Sequence, residues 1–284
     1  MIDTSFLKLL DRFQLILRKK ITSNYAGAKE SPAYGRGLVF KDYKEYVSGD
    51  DFRLIDWKVY ARTEKLNIKR FEEERNMTVR IVLDASASMN YGSKIKKFDY
   101  AGMIAIGFLY MALKNNERFE LTTFSDQLTP FRQKKGTKQL MDIIQYLNKL
   151  KISGKSNFKY SLEQYKKFIN SKSLIIIISD FFFNPQELKD ILVRYRKSDV
   201  MAVQVLDPTE KDLPVTGDMI LKDAETETSL RTFVSNRLKT KYQSQLTDHI
   251  HKLHDICFET KSKFFSVTTD VPIFDSFYEI LSVK

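Results

Sequence analysis

Residues 79–94 read VRIVLDASASMNYGSK, and they place one acid and two hydroxyls directly after an apolar run. The run at residues 79–83 has the length and composition of a short buried strand. Asp84, Ser86 and Ser88 then occupy every second position, with alanines between them. Because ligands of open parallel sheets bind beyond the carboxyl ends of the strands, this pattern indicates a binding site at the edge of a sheet.

Strands and helices alternate in the chain after residue 76. The apolar segments predicted as strands are residues 79–83, 119–124, 174–178, 200–206 and 264–267. The segments predicted as helices are residues 98–114, 138–149, 158–169, 185–196, 232–260 and 274–281. A weakly alternating stretch at residues 217–230 indicates a hairpin. The alternation predicts an α/β fold with a mostly parallel sheet and helices on both of its faces.

The first 76 residues differ from this pattern. Apolar positions between residues 6 and 17 share one helical face, which predicts an N-terminal amphipathic helix. A loop rich in Gly, Ser, Pro and Asn follows at residues 23–37, and an extended, charge-dense segment follows the loop. We therefore expect an N-terminal helix and lead-in at residues 1–76 and an α/β domain at residues 77–284. The helix would pack against its own chain, with contact to a membrane surface or a partner as the alternative.

The oxygens after residue 83 are suited to a hard divalent cation. Hydroxyl and carboxylate oxygens are ligands that Mg²⁺ or Mn²⁺ prefers to zinc-type nitrogen and sulfur. A second carboxylate, Asp180, follows the most apolar strand, and Ser156 in the loop SGKSNF offers another hydroxyl. Neutral serine oxygens would leave the ion's charge uncancelled and a position open for an external carboxylate. The alternative is a serine-capped helix start that binds no metal.

The pattern Asp84-x-Ser86-x-Ser88, with Asp180 after a later strand, resembles the metal-ion-dependent adhesion site of von Willebrand factor A domains. That family adds a threonine from a later loop, and Ser156 stands in the threonine position here. The resemblance implies that these five residues bind Mg²⁺ or Mn²⁺. It also implies a von Willebrand factor A-like (Rossmann-like) fold. Serine keeps the ligand oxygen of threonine but loses its methyl group.

The N-terminal lead-in carries a second resemblance. Residues 36–63 read RGLVFKDYKEYVSGDDFRLIDWKVYART, and RFEEER follows at residues 70–75. The segment GDDFRLIDW resembles the signature of the domain of unknown function 58 family, and the resemblance covers nearly the whole chain. It implies a von Willebrand factor A-like domain that acts with a MoxR-type AAA+ ATPase as a metal-binding partner or adaptor.

The same segment interleaves charges of both signs around a tryptophan: Asp50, Asp51, Arg53, Asp56, Trp57 and Arg62. Paired and hydrogen-bonded charges can fix a segment that lacks regular structure. We therefore expect a salt-bridge knot that docks the lead-in onto the domain. A partner-binding surface is the alternative.

The composition indicates the cellular compartment in which the protein works. Cys257 is the single cysteine of 284 residues, so an internal disulfide is impossible and a reducing compartment fits. No apolar run approaches the roughly 18 residues of a membrane helix, and charges interrupt the first apolar residues as they would not in a signal peptide. These features predict a cytoplasmic protein.

Basic charge is concentrated near one candidate ligand. The net charge is +11, and residues 132–172, which include Ser156, hold eleven lysines and arginines but only Asp142 and Glu163 as acids. This stretch could steer an acidic partner towards the metal site, or it could be a solvated face. Nucleic acid is a weaker prediction, because charge alone favours it.

Two other patterns are set aside. Gly154-Lys155-Ser156 imitates the end of a phosphate-binding loop, but Lys149 stands where the first glycine should be. His249, His251 and His254 fall within six residues, and helical spacing would permit a zinc site. An exposed polar helix face is the simpler interpretation of the histidines.

The sequence therefore favours a non-enzymatic, Mg²⁺-dependent protein-binding module or adaptor without catalytic residues. A metal-dependent phosphoester hydrolase is the first alternative, although we identify no general base near the motif. A basic nucleic-acid-binding protein is the second alternative.

Overall fold

The structure is a computed structural model that describes residues 39–72, 77–92, 94–131, 136–169, 171–226 and 228–282. These residues divide into two compact units, one containing residues 39–72 and the other containing residues 77–282. The helix predicted between residues 6 and 17 and the loop predicted at residues 23–37 lie outside the described residues.

The smaller unit is a two-stranded antiparallel sheet with a short helix in its connection. Strand β1 (Val39–Glu45) pairs with β2 (Asn67–Glu72), and helix α1 (Trp57–Thr63) lies between them in sequence. Asp56 caps this helix, because its Oδ1 accepts a hydrogen bond from the Lys58 N–H at 3.0 Å. The sequence-based expectation of extended chain is therefore wrong for α1.

Charge pairs do form in this unit, but lysines supply the positive partners. Asp50 lies 2.9 Å from the Lys44 ammonium, and Asp56 lies 2.9 Å from the Lys69 ammonium. The Tyr43 hydroxyl donates to the second of these carboxylates at 2.9 Å. The hydrogen bond from Lys69 outweighs the opposing effect of burial and lowers the pKa of Asp56 to about 2.

The larger unit contains a six-stranded sheet and a separate hairpin. Its strands are β3 (Thr78–Asp84), β4 (Arg118–Phe124), β5 (Leu128–Phe131), β6 (Ser173–Ser179), β7 (Asp199–Leu206), β8 (Gly217–Lys222), β9 (Ser229–Val234) and β10 (Lys263–Thr268). The sheet has the order β10-β7-β6-β3-β4-β5, while β8 and β9 pair antiparallel as the hairpin. Strand β5 pairs antiparallel with β4, and the other neighbours pair in parallel.

Helices connect the strands. They are α2 (Lys97–Lys114), α3 (Thr137–Lys149), α4 (Phe158–Tyr165), α5 (Pro185–Arg194), α6 (Pro208–Asp212), α7 (Asn236–Glu259) and α8 (Ile273–Ser282). Every residue of β3 and β6 is buried, so both faces of the sheet are covered at its centre. The predicted α/β fold with a mostly parallel sheet is confirmed.

The strand order reverses at β3, because β4 lies on one side of it and β6 on the other. Asp84 ends β3 and Asp180 follows β6, so both acids stand at the carboxyl edge beside the reversal. A crevice opens at such a point in open α/β sheets. The fold therefore brings the two predicted acids to one place.

Candidate metal centre

Asp84 is the centre of the site, and its side chain is fully buried. Its Oδ1 accepts a hydrogen bond from the Ser86 N–H at 2.9 Å. Its Oδ2 accepts from the Ser156 hydroxyl at 3.1 Å and from the Ser179 hydroxyl at 2.7 Å. Three segments of the chain thus converge on one carboxylate.

The two serines after Asp84 place their hydroxyls side by side. Ser86 precedes a 3₁₀ turn at Ala87–Asn90, but its hydroxyl makes no capping hydrogen bond within the described part of the chain. The Ser86 and Ser88 Oγ atoms instead lie 3.1 Å apart. Capping therefore does not account for these residues.

The oxygen spacings fit a magnesium-sized ion. Ligand distances of about 2.1 Å in an octahedron put neighbouring ligand oxygens about 3 Å apart. The Ser86–Ser88 pair and the Ser156–Asp84 pair each have a separation of 3.1 Å between their oxygens. Neutral hydroxyls and one carboxylate are also the donor types that Mg²⁺ and Mn²⁺ accept. The donor set is compatible with either ion.

The electrostatics around Asp84 also favour a cation. Burial, and after it the nearby charge of Asp180, raise the pKa of Asp84 to about 6. The charged form of the Asp84 carboxylate is therefore disfavoured in this pocket. A bound divalent cation would supply compensating positive charge.

Ser156 is held in place by a loop that is bound to the Asp84 segment. The Ala87 N–H donates to the Gly154 carbonyl at 2.9 Å, and the Lys155 N–H donates to Asp126 Oδ1 at 2.9 Å. Gly154 has a φ of +91°, and a Cβ there would lie 2.2 Å from the Asp126 carboxylate. The sequence Gly-Lys-Ser thus forms a loop between α3 and α4 that positions a serine, in a context unlike that of a phosphate-binding loop.

Asp180 forms an ion pair with a buried lysine of the same chain. The fully buried Lys97 ammonium donates to Asp180 Oδ2 at 2.9 Å and to Glu210 Oε1 at 2.7 Å. Burial disfavours the charge of Lys97, but these two carboxylates outweigh it and hold the pKa of Lys97 above its ordinary value. Asp180 Oδ1 accepts only a long hydrogen bond within the described residues, from the Phe182 N–H at 3.4 Å, and it could still face a metal or a metal-bound water.

A further carboxylate reaches the site from the hairpin. Glu225 lies in the turn between β8 and β9, and its side chain is half-buried. Burial raises the pKa of Glu225, and Asp180 contributes in the same direction.

Four residues of the site were missed by the sequence analysis: Lys97, Ser179, Glu210 and Glu225. The signal for Ser179 was present, because it is the polar end of an apolar strand and its register places it beside Asp84. Glu210 belongs to the capping box Asp207-x-x-Glu210, which signals a helix start and not a site, and the other two belong to no recognisable motif.

The histidines do not join this centre as a group. His249 Nε2 lies 2.8 Å from the Phe181 carbonyl, and His254 lies 3.6 Å from its neighbour Asp255. In the part of the chain that the structure describes, no group of three His, Cys, Asp or Glu side chains could hold a metal ion. Any ion at Asp84 would therefore depend on the serine hydroxyls.

The basic stretch at residues 132–172 is partly neutralised. Lys159 pairs with Asp190 at 2.7 Å, and Lys172 pairs with Asp199 at 3.3 Å. Residues 132–135 lie outside the described residues. Lys155, next to Ser156, is thus better placed than Lys159 to attract an acidic partner.

Comparison with known proteins identifies the family. The family model described as "Protein of unknown function DUF58" matches residues 42–252. The chain belongs to the DUF58 family. A similar relative is the uncharacterized protein Rv1480 of Mycobacterium tuberculosis, which is 23% identical over 228 residues, 78% of this chain and 72% of the relative. The family recognised from GDDFRLIDW is therefore confirmed.

Several solved structures are similar to this DUF58 protein over about 70% of its length. BatB from Bacteroides thetaiotaomicron has a TM-score of 0.45 and 14% identity, covering 72% of this chain and 96% of that one. An aerotolerance-related membrane protein from Bacteroides fragilis has a TM-score of 0.44 and 12% identity, covering 68% and 92%. The SpRpn10 VWA domain has a TM-score of 0.44 and 11% identity, covering 72% and 94%. The strand order is that of a mixed α/β fold, and the last of these neighbours is itself a VWA domain.

The prediction of a cytoplasmic protein is wrong. The Bacteroides fragilis neighbour is described as a membrane protein. Another neighbour is an uncharacterized membrane spanning protein from Vibrio fischeri, with a TM-score of 0.23 and 13% identity over 72% of this chain and 98% of that one. Within the described residues, no helix is both long and apolar enough to span a membrane.

Proposed function

We propose that this DUF58 protein is a non-enzymatic, Mg²⁺- or Mn²⁺-dependent protein-binding module. Asp84, Ser86, Ser88 and Ser156 would hold the ion, and Asp180 would assist through its Oδ1. The observation that carries the proposal is the pair of oxygen separations of 3.1 Å, Ser86–Ser88 and Ser156–Asp84, beside a buried carboxylate. When bound, the ion supplies a positive position for an external carboxylate.

The proposed partner is a protein that offers an acidic side chain. Serine ligands are neutral, so a bound ion would keep enough charge to attract a carboxylate from outside. Lys155 beside the site would favour the approach of an acidic surface. The family resemblance points to a MoxR-type AAA+ ATPase as that partner.

Calorimetry with Mg²⁺ and Mn²⁺ tests the metal site. Asp84→Ala should abolish binding, because it removes the carboxylate at the centre of the donor set. Ser156→Thr should bind as the wild type does, and Ser156→Ala should bind about tenfold more weakly. Asp190→Ala, which removes a surface acid paired with Lys159, is the matched control and should leave affinity unchanged. Equal metal affinity in Asp84→Ala and wild type would contradict the proposal.

Binding of a recombinant MoxR-type ATPase tests the partner. We expect affinity with Mg²⁺ that is lost with EDTA and in Asp84→Ala, while Asp190→Ala binds normally. Binding that is equal with chelator and with Mg²⁺ would exclude the metal as the link. Mg²⁺-dependent turnover of a phosphomonoester would instead support the hydrolase alternative.

A further inference from the structure

A surface cavity of about 630 Å³ lies beside the amino ends of β6 and β7, next to the ends of α4 and α5. We propose that this basic cavity is a binding site for a phosphate-bearing anion. Asp84 and Asp180 stand at the carboxyl ends of β3 and β6, so the basic cavity and the candidate metal centre lie at opposite edges of the sheet. The inference therefore does not depend on a bound metal.

Positive charge predominates in the lining of the basic cavity. Of the described residues that line it, one is the acid Glu163, and five are cations: Lys166, Lys172, Arg194, Arg196 and Lys197. Glu163 pairs with Arg194 at 3.0 Å, and Asp199 pairs with Lys172 at 3.3 Å. These two acids balance two of the five positive charges.

The other three cations, Lys166, Arg196 and Lys197, form no ion pair with any residue that the structure describes. Arg196 and Lys197 are exposed in the turn after α5, and Lys166 is half-buried directly after α4. Like charges around one cavity repel each other, and a bound anion would replace that repulsion by attraction. The cavity therefore suits an anion with more than one charge.

Buried contacts fix the backbone on both sides of the basic cavity. Tyr195 is buried, and its hydroxyl donates to the Leu162 carbonyl of α4 at 2.6 Å. The Lys166 ammonium lies 5.1 Å from the centre of the Tyr195 ring. The Ser198 N–H donates to the Tyr195 carbonyl at 2.8 Å, which closes the turn after α5. A ligand would thus meet a site whose backbone needs little ordering on binding.

Phosphate is the anion that fits these donors. The Arg196 guanidinium has a planar fork of donors that can bind two phosphate oxygens at once, and lysine ammoniums bind phosphate as point charges. A phosphate ester also carries up to two negative charges, whereas a carboxylate carries one. Ile169 and Val193 add apolar surface to the lining, on which the uncharged part of an ester could pack. A soluble phosphate ester and a lipid headgroup share this chemistry.

Inorganic pyrophosphate, added to the full chain in the presence of EDTA, is the first probe. The chelator keeps divalent cations away from Asp84, so binding at the metal centre does not contribute. Calorimetry should show binding by the wild type, and the double substitution Arg196→Gln, Lys197→Gln should weaken it about tenfold. The matched control is Arg237→Gln, Lys241→Gln, which removes the same two residue types from exposed positions of α7 outside the cavity lining. The control should bind pyrophosphate as the wild type does.

Removal of an acid should have the opposite effect. Glu163→Gln should tighten pyrophosphate binding about threefold, because it frees Arg194 and removes a negative charge from the lining. Glu259→Gln is the control, since it frees Lys189, a lysine outside the cavity lining. It should leave pyrophosphate affinity unchanged. Equal effects of the two glutamate substitutions would contradict a site in this cavity.

Vesicles identify the source of the phosphate. If phosphatidylglycerol vesicles bind the wild type and the Arg237, Lys241 control but not the Arg196, Lys197 variant, while phosphatidylcholine vesicles bind none of them, the ligand is a lipid headgroup. Pyrophosphate binding with the expected pattern but no vesicle binding identifies a soluble phosphate ester. The proposal is overturned if neither probe binds, if both double variants weaken binding equally, or if single-stranded DNA alone binds. Because EDTA is present throughout, such a failure leaves the proposed metal site standing.

Discussion

Two aspartates in this protein have opposite electrostatic environments. Asp56 pairs with the Lys69 ammonium, and its pKa is lowered to about 2. Asp84 receives a backbone N–H and two hydroxyls within the described residues, and burial raises its pKa to about 6. The fold has a cation for the first carboxylate, whereas the second is left with a place where a cation could bind.

The environment of Asp56 gives a pH-dependence that can be measured. Its pKa in the folded protein lies below the ordinary 3.8, so its charge stabilises the fold above about pH 4, and this contribution is lost as the pH falls towards 2. Carboxyl NMR should show a midpoint of about 2 in the wild type. Lys69→Met should move it upwards, while Lys65→Met, at an exposed lysine, should not. A wild-type midpoint near 3.8 would contradict the pairing.

Part of the site could be predicted from where polar residues stand relative to the apolar strands. Asp84, Ser86 and Ser88 could be found because they follow one strand in a fixed pattern, and Asp180 because it follows another. Lys97 could not, since its partner Asp180 is 83 residues away. Such contacts depend on how a helix and a strand approach each other, and no local pattern encodes that approach.

At the scale of elements, the loop between α3 and α4 determines where Ser156 lies. The loop is held against the Asp84 segment by the bond from the Ala87 N–H to the Gly154 carbonyl. Gly154 allows this approach, because its φ of +91° and the close Asp126 carboxylate leave no room for a side chain. The conformation of Gly154 therefore determines the position of Ser156 at the candidate metal site.

Gly154→Ala tests that coupling. The substitution should cost about 1–3 kcal/mol of stability and shift Ser156, so that Mg²⁺ affinity falls about tenfold. Gly136→Ala is the control, since Gly136 also has a positive φ, +93°, but nothing lies within 4 Å of an added Cβ. Both variants should lower the melting temperature, and only Gly154→Ala should weaken metal binding. Equal metal affinity in the two variants would show that the loop does not position Ser156.

The elements themselves were largely predictable, because continuous apolar strands alternate with helices. Strand β5 was missed, since it is a four-residue edge strand with Pro130 and leaves no clear periodic pattern. Helix α7 was predicted to begin at residue 232, but β9 runs to Val234 and the Ser235 hydroxyl caps the helix. Pairing with β8 determines that boundary, and such pairing is not visible in a local window.

For the whole molecule, topology explains why the site stands where it does. The reversal of strand order at β3 puts the ends of β3 and β6 side by side, and the loops after these strands form one edge. The central claim is that this edge binds a divalent cation through serine hydroxyls and Asp84.

Anomalous diffraction from crystals of the full chain soaked in Mn²⁺ tests this claim most directly. The account predicts a manganese peak at about 2.2 Å from the Ser86 and Ser88 hydroxyl oxygens and beside the Asp84 carboxylate. Crystals of Asp84→Ala grown in the same way should lack the peak. Crystals of the wild type with no manganese at these oxygens, or with manganese only at His251 and His254, would contradict the account.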